Sequence, residues 1–295
     1  MPAKSNIPQK KRVAQKGRRT TGPRGKKKQK SKWSLTLKLV IAGMLLVMFS
    51  PFYYGYVLKA FTSSWQWIKD IGEDPHYRNY ARFDIKIPKG YAIHGIDVSY
   101  AQGQIDWHKV RAMRDKDVSI TFAFIKATEG LLTVDPYFKR NWREAAKTGI
   151  VCGAYHYFRP MKSGKQQARF FLQTASAEQG DLPLVVDVET LDGKSPQHMR
   201  EELRAFVKHV QSKTSIKPII YSGLSFYHDY LQGYFDDHIL WIAHYHQSEL
   251  KVRKQRTWHF WQHSDRGKIN GINHVVDFNV FNGDSSSFKK LLIEK

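Results

Sequence analysis

The chain has 295 residues, 48 of them Lys or Arg and 26 Asp or Glu, a formal net charge of +22, with 41% apolar and 14% aromatic residues. That apolar content excludes disorder throughout, and the single cysteine, Cys152, excludes an intrachain disulfide. The charge is unevenly spread: residues 1–38 hold 14 basic residues and no acidic one, leaving 34 basic against 26 acidic in the remainder.

Residues 1–38 read as a disordered basic tail, because they offer almost nothing apolar to bury. Residues 39–58 are uncharged, with an apolar centre (LVIAGMLLVMF) followed by Tyr53, Tyr54 and Tyr56. About 20 such residues span a bilayer core as a helix, and tyrosines suit its interface, so the pattern predicts a transmembrane helix over 39–58. A cleaved signal peptide is the competing reading, because the most apolar stretch runs only from Leu39 to Phe49; the sequence that follows, SPFYYGY, holds no small-x-small cleavage site. The positive-inside rule then puts the tail in the cytoplasm and the rest outside the cytoplasmic (inner) membrane, in the periplasm or cell wall. The tail is expected to meet anionic membrane lipid and not nucleic acid, since it lacks interleaved aromatics and any recognition motif. Residues 59–86 read as a stalk that docks on the domain, 87–288 as the folded domain itself and 289–295 as a C-terminal tail.

Eight apolar, β-branched or aromatic runs follow as strand candidates: YAIHGIDVS at 91, SITFAFIKAT at 119, IVCGAYHYF at 150, LPLVVDVE at 182, KPIIYSG at 217, ILWIAHY at 239, WHFWQHS at 258 and HVVDFNVF at 274. Helix signals separate the early ones. Asp135 as N-cap, Pro136 and Gly149 frame one helix; Ser195 and Pro196 open another with an apolar stripe of Met199, Leu203, Phe206, Val207 and Val210. Weaker patterns cover 107–114, 163–177 and 225–235. Eight strands and about five helices, with loops between the last three strands, predict an irregular TIM-like β/α barrel. An open doubly wound sheet is the alternative.

Active sites of such barrels lie at the C-terminal ends of strands. Asp97 ends the first run, Asp187 and Glu189 end the fourth, and Asp277 with Asn279 lies in the eighth. Period two points Asp187 and Glu189 the same way. Crowded carboxyls at that position serve as catalytic acids, as hydrogen-bonded structural acids or caps, or as metal ligands. Tyr155, His156, Tyr157, Tyr221, Trp241, His244, Tyr245, Trp261 and Gln262 end other runs. Aromatic faces and amides together suit a carbohydrate, although each aromatic alone is more often core than ligand.

At these residues the sequence resembles glycoside hydrolase family 25, the muramidase class of lysozymes. The resemblance runs from about Tyr91 to Gly283 through HGIDVS, QGQIDW, FIKATEG, GAYHYFRP, LVVDVE, IIYSG, WIAHY, WQHS and VDFNVF, in that order. It implies a barrel of five β/α units plus three strands, and cleavage of the β-1,4 bond between N-acetylmuramic acid and N-acetylglucosamine in peptidoglycan. It maps the general acid/base onto Glu189 and an acidic cluster onto Asp97, Asp187 and Asp277. The residues near these in the strand runs, Tyr157, Tyr221, Trp241, Gln262, Asn279 and His156, are expected to bind the substrate. Family members retain the anomeric configuration; Asp187 would orient the substrate's own acetamido group, or it or Asp97 would be a covalent nucleophile. SYAQG after Asp97 departs from relatives that carry His or Asn there, but removes no member of the acidic set. A non-catalytic peptidoglycan-binding module and a chitinase-like glycosidase are the rivals.

No cofactor and no metal are expected: His244 and His246 lack a third ligand at a usual spacing, and no GxGxxG or GKS pattern occurs. Lys126 and Glu129 read as a structural ion pair, and Cys152 as a buried small hydrophobe.

Overall fold

The computed structural model describes residues 34–48, 76–253 and 257–294. They fall into two units, one ending at Ser64 and one running from Trp65 to the C-terminus. In the first, α1 (Leu35–Met48) starts four residues before the expected span and includes Lys38. Its 14 residues rise about 21 Å at 1.5 Å each, short of a ~30 Å hydrocarbon core. Among the described residues no helix is long and apolar enough to cross a membrane. The rest of the expected span, the tail up to residue 33 and the stalk up to residue 75 lie outside the described residues.

The second unit contains β1 (Tyr77–Tyr80), β2 (Ile85–Pro88), β3 (His94–Val98), β4 (Arg114–Asp115), β5 (Val118–Glu129), β6 (Thr133–Val134), β7 (Val151–Tyr157), β8 (Val185–Asp187), β9 (Ile219–Gly223), β10 (Leu240–Ala243), β11 (Phe260–Gly267) and β12 (Val276–Phe281). All eight expected strands are present. They form the circuit β3, β12, β11, β10, β9, β8, β7, β5, closed by pairing of β5 with β3. Every neighbouring pair is parallel except those of β12, which runs antiparallel to both β11 and β3. The short strands β4 and β6 pair antiparallel with the two ends of the long β5.

Helices α2 (Trp107–Ala112), α3 (Phe138–Lys147), α4 (Gly164–Thr174) and α5 (Pro196–Thr214) lie where the patterns put them. Ser195 caps α5 through its hydroxyl, with Pro196 in the first turn. The fifth expected helix is a single turn, α6 (Leu224–Phe226), running into a π turn at Tyr227–Leu231. Asp135 does not cap α3 directly: Tyr137 holds the cap position, while the Asp135 carboxylate accepts from the backbone N–H groups of Tyr137 at 2.9 Å and Tyr100 at 2.6 Å. A last helix, α7 (Ser285–Lys289), opens on an Asp284 capping box.

Alternation along the strands builds two cores. Inward residues such as Phe122, Phe124, Val185, Trp241 and Phe260 fill the barrel. Outward ones, among them Ile96, Val186, Val188 and Ile220, pack under the helices with Phe171, Leu203 and Phe206. The α4–α5 contact is close enough to require glycine: a Cβ at Gly164 would lie 1.8 Å from the Glu202 carbonyl oxygen. Gly164→Ala should therefore cost about 1–3 kcal/mol and lower the thermal midpoint by several degrees. An unchanged midpoint would show that the two helices do not need that approach.

Two peripheral segments pack on this unit. The described part of the expected stalk is the β1–β2 hairpin, whose Tyr80, Phe83, Ile85 and Ile87 enter the outer core. Phe83 meets the Phe278 ring edge-on at 5.2 Å. The expected C-terminal tail is likewise docked, since Ile293 exchanges backbone hydrogen bonds with Gly180 and Asp181. Buried apolar side chains hold the hairpin against the domain, and paired backbone holds the C-terminal segment.

Candidate active site

β12 corrects the rule that active residues end their strands. Because it runs antiparallel, its beginning reaches the rim where the other strands end, and Asp277 lies directly opposite Asp97. Asp97, Asp187 and Asp277 thus meet from β3, β8 and β12, with Glu189 two residues beyond Asp187.

Asp97 is buried and held by two amides. Its Oδ2 accepts from Gln262 Nε2 and from Asn279 Nδ2, each at 2.7 Å. Gln262 Oε1 accepts in turn from the Tyr221 and Tyr245 hydroxyls, both at 2.8 Å, and Asn279 Oδ1 from Trp241 Nε1 at 2.7 Å. With each amide oxygen so engaged, both NH₂ groups must face the carboxylate. Burial pushes the Asp97 pKa up to about 6, while the two amide donors pull it down. Asp277 is pushed up to about 9 by burial and then by the charges of Asp97, Asp265 and Glu189. Near neutral pH, Asp277 is therefore protonated and hydrogen-bonded to an Asp97 carboxylate.

Asp187 is buried, and its Oδ1 has no hydrogen-bond partner among the described residues. Burial and then the Glu189 charge raise its pKa well above the ordinary range, against the opposing charge of Lys126. Glu189 opens to solvent at the mouth of the groove. Loss of water on the side of its carboxyl that is buried against the rim raises its pKa, opposed by a hydrogen bond from Tyr221, by the Lys126 charge and by a hydrogen bond from Tyr157.

Lys126 is the cation in this field. The alternation that turns Phe122 and Phe124 inward carries Lys126 to the rim, where Nζ lies 2.9 Å from Glu129 Oε2 and 5.0 Å from the centre of the Tyr157 ring. The ion pair read from the sequence is present; its action on Asp187 and Glu189 was legible only from that alternation. Arg159 extends the chain of charges, 3.9 Å from Glu129 and 3.1 Å from Asp192.

The expected substrate-binding residues divide into three groups. Tyr157 borders the groove beside Glu189. Tyr221, Trp241, Gln262 and Asn279 are buried and position Asp97, with Trp241 stacked on Phe124 at 4.1 Å. His156 is a correction: it faces outward, fully buried, bonded to Thr128 and Gln167 and stacked on Phe206, and burial drives its pKa down to about 3. Inward Tyr155 and Tyr157 oblige the residue between them to face the helices. Leu224, Phe226 and Tyr245 line a cavity of about 410 Å³ beside Glu189. The first two sit on α6, at the start of the weak 225–235 pattern, which did not mark them for the groove.

Among the described residues, no group of three or more His, Cys, Asp and Glu could hold a metal ion. His246 instead lies 3.3 Å from Asp265 and 3.0 Å from Arg266.

The raised Asp277 pKa makes a stability prediction. Between the unfolded value of 3.8 and about 9, the folded chain holds a proton that the unfolded chain has lost, so this group's contribution falls as pH rises through that window. Asp277→Asn should flatten the fall, giving a thermal midpoint above the parent's at pH 8 and a smaller difference at pH 5. A parallel decline in both proteins would refute the shared proton.

Comparison with known proteins gives a consistent picture. The family model for Glycosyl hydrolases family 25 matches residues 96–272. The chain is 46% identical over 253 residues to the uncharacterized protein YegX of Escherichia coli (strain K12), covering 86% of this chain and 92% of that one. It is 34% identical over 208 residues to Lysozyme M1 of Streptomyces globisporus, covering 66% and 69% of the two chains. The solved family 25 glycosyl hydrolase from Bacillus anthracis aligns with a TM-score of 0.65 and 31% identity, over 75% of this chain and all of that one.

Proposed function

Because the chain belongs to Glycosyl hydrolases family 25, we propose that Glu189 is its general acid/base at the β-1,4 bond between N-acetylmuramic acid and N-acetylglucosamine. The chain is a glycoside hydrolase with lysozyme-type activity, a peptidoglycan hydrolase. The observation that carries the assignment is the contrast within the acidic set: Glu189 alone of the four carboxyl residues is exposed, and its raised pKa favours the proton a leaving glycosidic oxygen needs.

In this reading Glu189 protonates the glycosidic oxygen as the bond to the anomeric carbon breaks. The Asp97 carboxylate, fixed by Gln262 and Asn279, faces the positive charge that develops on the sugar ring. Asp187, with an unmet acceptor, orients the 2-acetamido N–H so that the acetamido oxygen closes on the anomeric carbon. Glu189, now a carboxylate, takes a proton from a water that bonds to the anomeric carbon as the acetamido oxygen leaves it, which regenerates the acetamido group and the Glu189 acid and retains the configuration. Tyr157, Leu224, Phe226 and Tyr245 offer flanking faces to the sugars.

Digestion of purified peptidoglycan by the full chain should release fragments with muramic-acid reducing ends, identified by mass. Cleavage of chitin without cleavage of peptidoglycan would replace this reading with a chitinase-like one. The same proposal places the chain in the cytoplasmic membrane through residues 39–58, with the basic tail on anionic lipid inside and the enzyme outside; the uncharged run beside fourteen cations supports it. Full-length protein should then stay with membranes after an alkaline wash, and a mature N-terminus near Tyr56 would overturn the anchor.

A further inference from the structure

A cleft of about 850 Å³ lies between α4 and α5, away from the carboxylates. Lys165 and Arg169 line it from α4, and His209 and Lys213 from α5. Each pair is spaced i, i+4 and so shares one helix face, about 6 Å apart along the axis. No Asp or Glu lines the cleft. Among the described residues, neither Lys165, Arg169 nor Lys213 has an acidic partner within 4 Å. The acids of α5 nearest in sequence are engaged elsewhere: Glu202 accepts from the Gly164 N–H at 2.6 Å, and Glu201 from Gln197 at 2.9 Å.

We infer that this cleft is a binding groove for a linear polymer of repeated phosphate groups that carries no bases. Lys165 and Arg169 on one wall and Lys213 on the other fit a thread of repeated negative charge, since its anions meet a cation on either wall. The recessed apolar floor, Leu172 and Leu184, argues against a bilayer, which binds protruding side chains. No Phe, Tyr or Trp lines the cleft, so the stacking platform of a single-stranded nucleic-acid site is absent from it. The mutual crowding of the cations shows at His209, whose pKa is lowered by burial and then by Arg169, Lys165 and Lys213.

Its position also separates binding from hydrolysis. Leu184 precedes β8 whereas Asp187 ends it, so the groove reaches the end of the barrel opposite the carboxylates. A polymer held there leaves the catalytic mouth open and raises the enzyme's local concentration on a surface carrying both polymers.

The test uses the full chain with inorganic polyphosphate as the probe and amide hydrogen exchange as the readout. Because residues 1–38 also attract polyanions, the reading must be local. Residues 165–177 and 208–214 should gain saturable protection. Lys165→Glu combined with Lys213→Glu should weaken that protection by roughly tenfold or more, with peptidoglycan hydrolysis in the absence of polyphosphate unchanged. If the double variant fails to fold, Lys213→Gln serves with the same expected direction. Absence of protection in both segments, or equal protection in the variant, overturns the proposal. Protection by phosphatidylglycerol vesicles but not by polyphosphate overturns it in favour of a lipid surface.

Discussion

Replacing Glu189 by Gln should lower peptidoglycan turnover by about 10²–10⁴-fold and leave the thermal midpoint unchanged. Gln keeps the size and hydrogen bonding of the side chain but has no proton to give to the leaving oxygen and cannot accept one from water. Glu189 is exposed at the mouth of the groove and contributes no core packing, so a folding defect is not the expected cause of inactivity. A pH profile separates the roles further. The parent should lose activity as pH rises through the raised Glu189 pKa, held up by burial of its carboxyl and pulled down by Tyr221, Lys126 and Tyr157. The residual rate of the variant should lack that limb. Turnover within twofold of the parent would remove Glu189 from the acid/base role.

Asp187→Asn is expected to reduce kcat by about 10²–10³-fold with a smaller change in KM. The carboxyl is buried, has an unpartnered oxygen and sits beside Tyr157 and Tyr221 in the strand ladders, where an acetamido group approaching Glu189 would meet it. If Asp187 acts through that group, its loss should matter only when the group is present. On glycan whose glucosamine and muramic acid residues have been de-N-acetylated, the parent should be slow, and Asp187→Asn should make it little slower, a strongly non-additive cycle. Additive losses would point instead to a direct nucleophile, and trapping of a covalent sugar on Asp187 would establish one.

Much of the fold is legible in the amino-acid sequence. Alternating apolar runs place all eight barrel strands, capping signals at Ser195–Pro196 place α5, and the acids at the ends of these runs mark the rim. These are local signals, carried by residues within one strand or one helical turn. The faces of single residues are also legible where an inward neighbour is known; period two, applied from Tyr155 and Tyr157, turns His156 away from the groove.

What stays hidden in the sequence depends on contacts between distant parts of the chain. Asp97 receives its two amide donors from residues 165 and 182 positions away. Only closure of the barrel shows that Gln262 and Asn279 hold a carboxylate. The antiparallel course of β12, which brings Asp277 against Asp97 and lets the two share a proton, is likewise set by how the last strand completes the circuit. Local patterns were thus enough for the strands, the acidic residues and the family. Which carboxyl is open, which is buried and which is protonated came only from the folded chain, because burial and charge–charge distance are properties of the closed barrel and of no single segment.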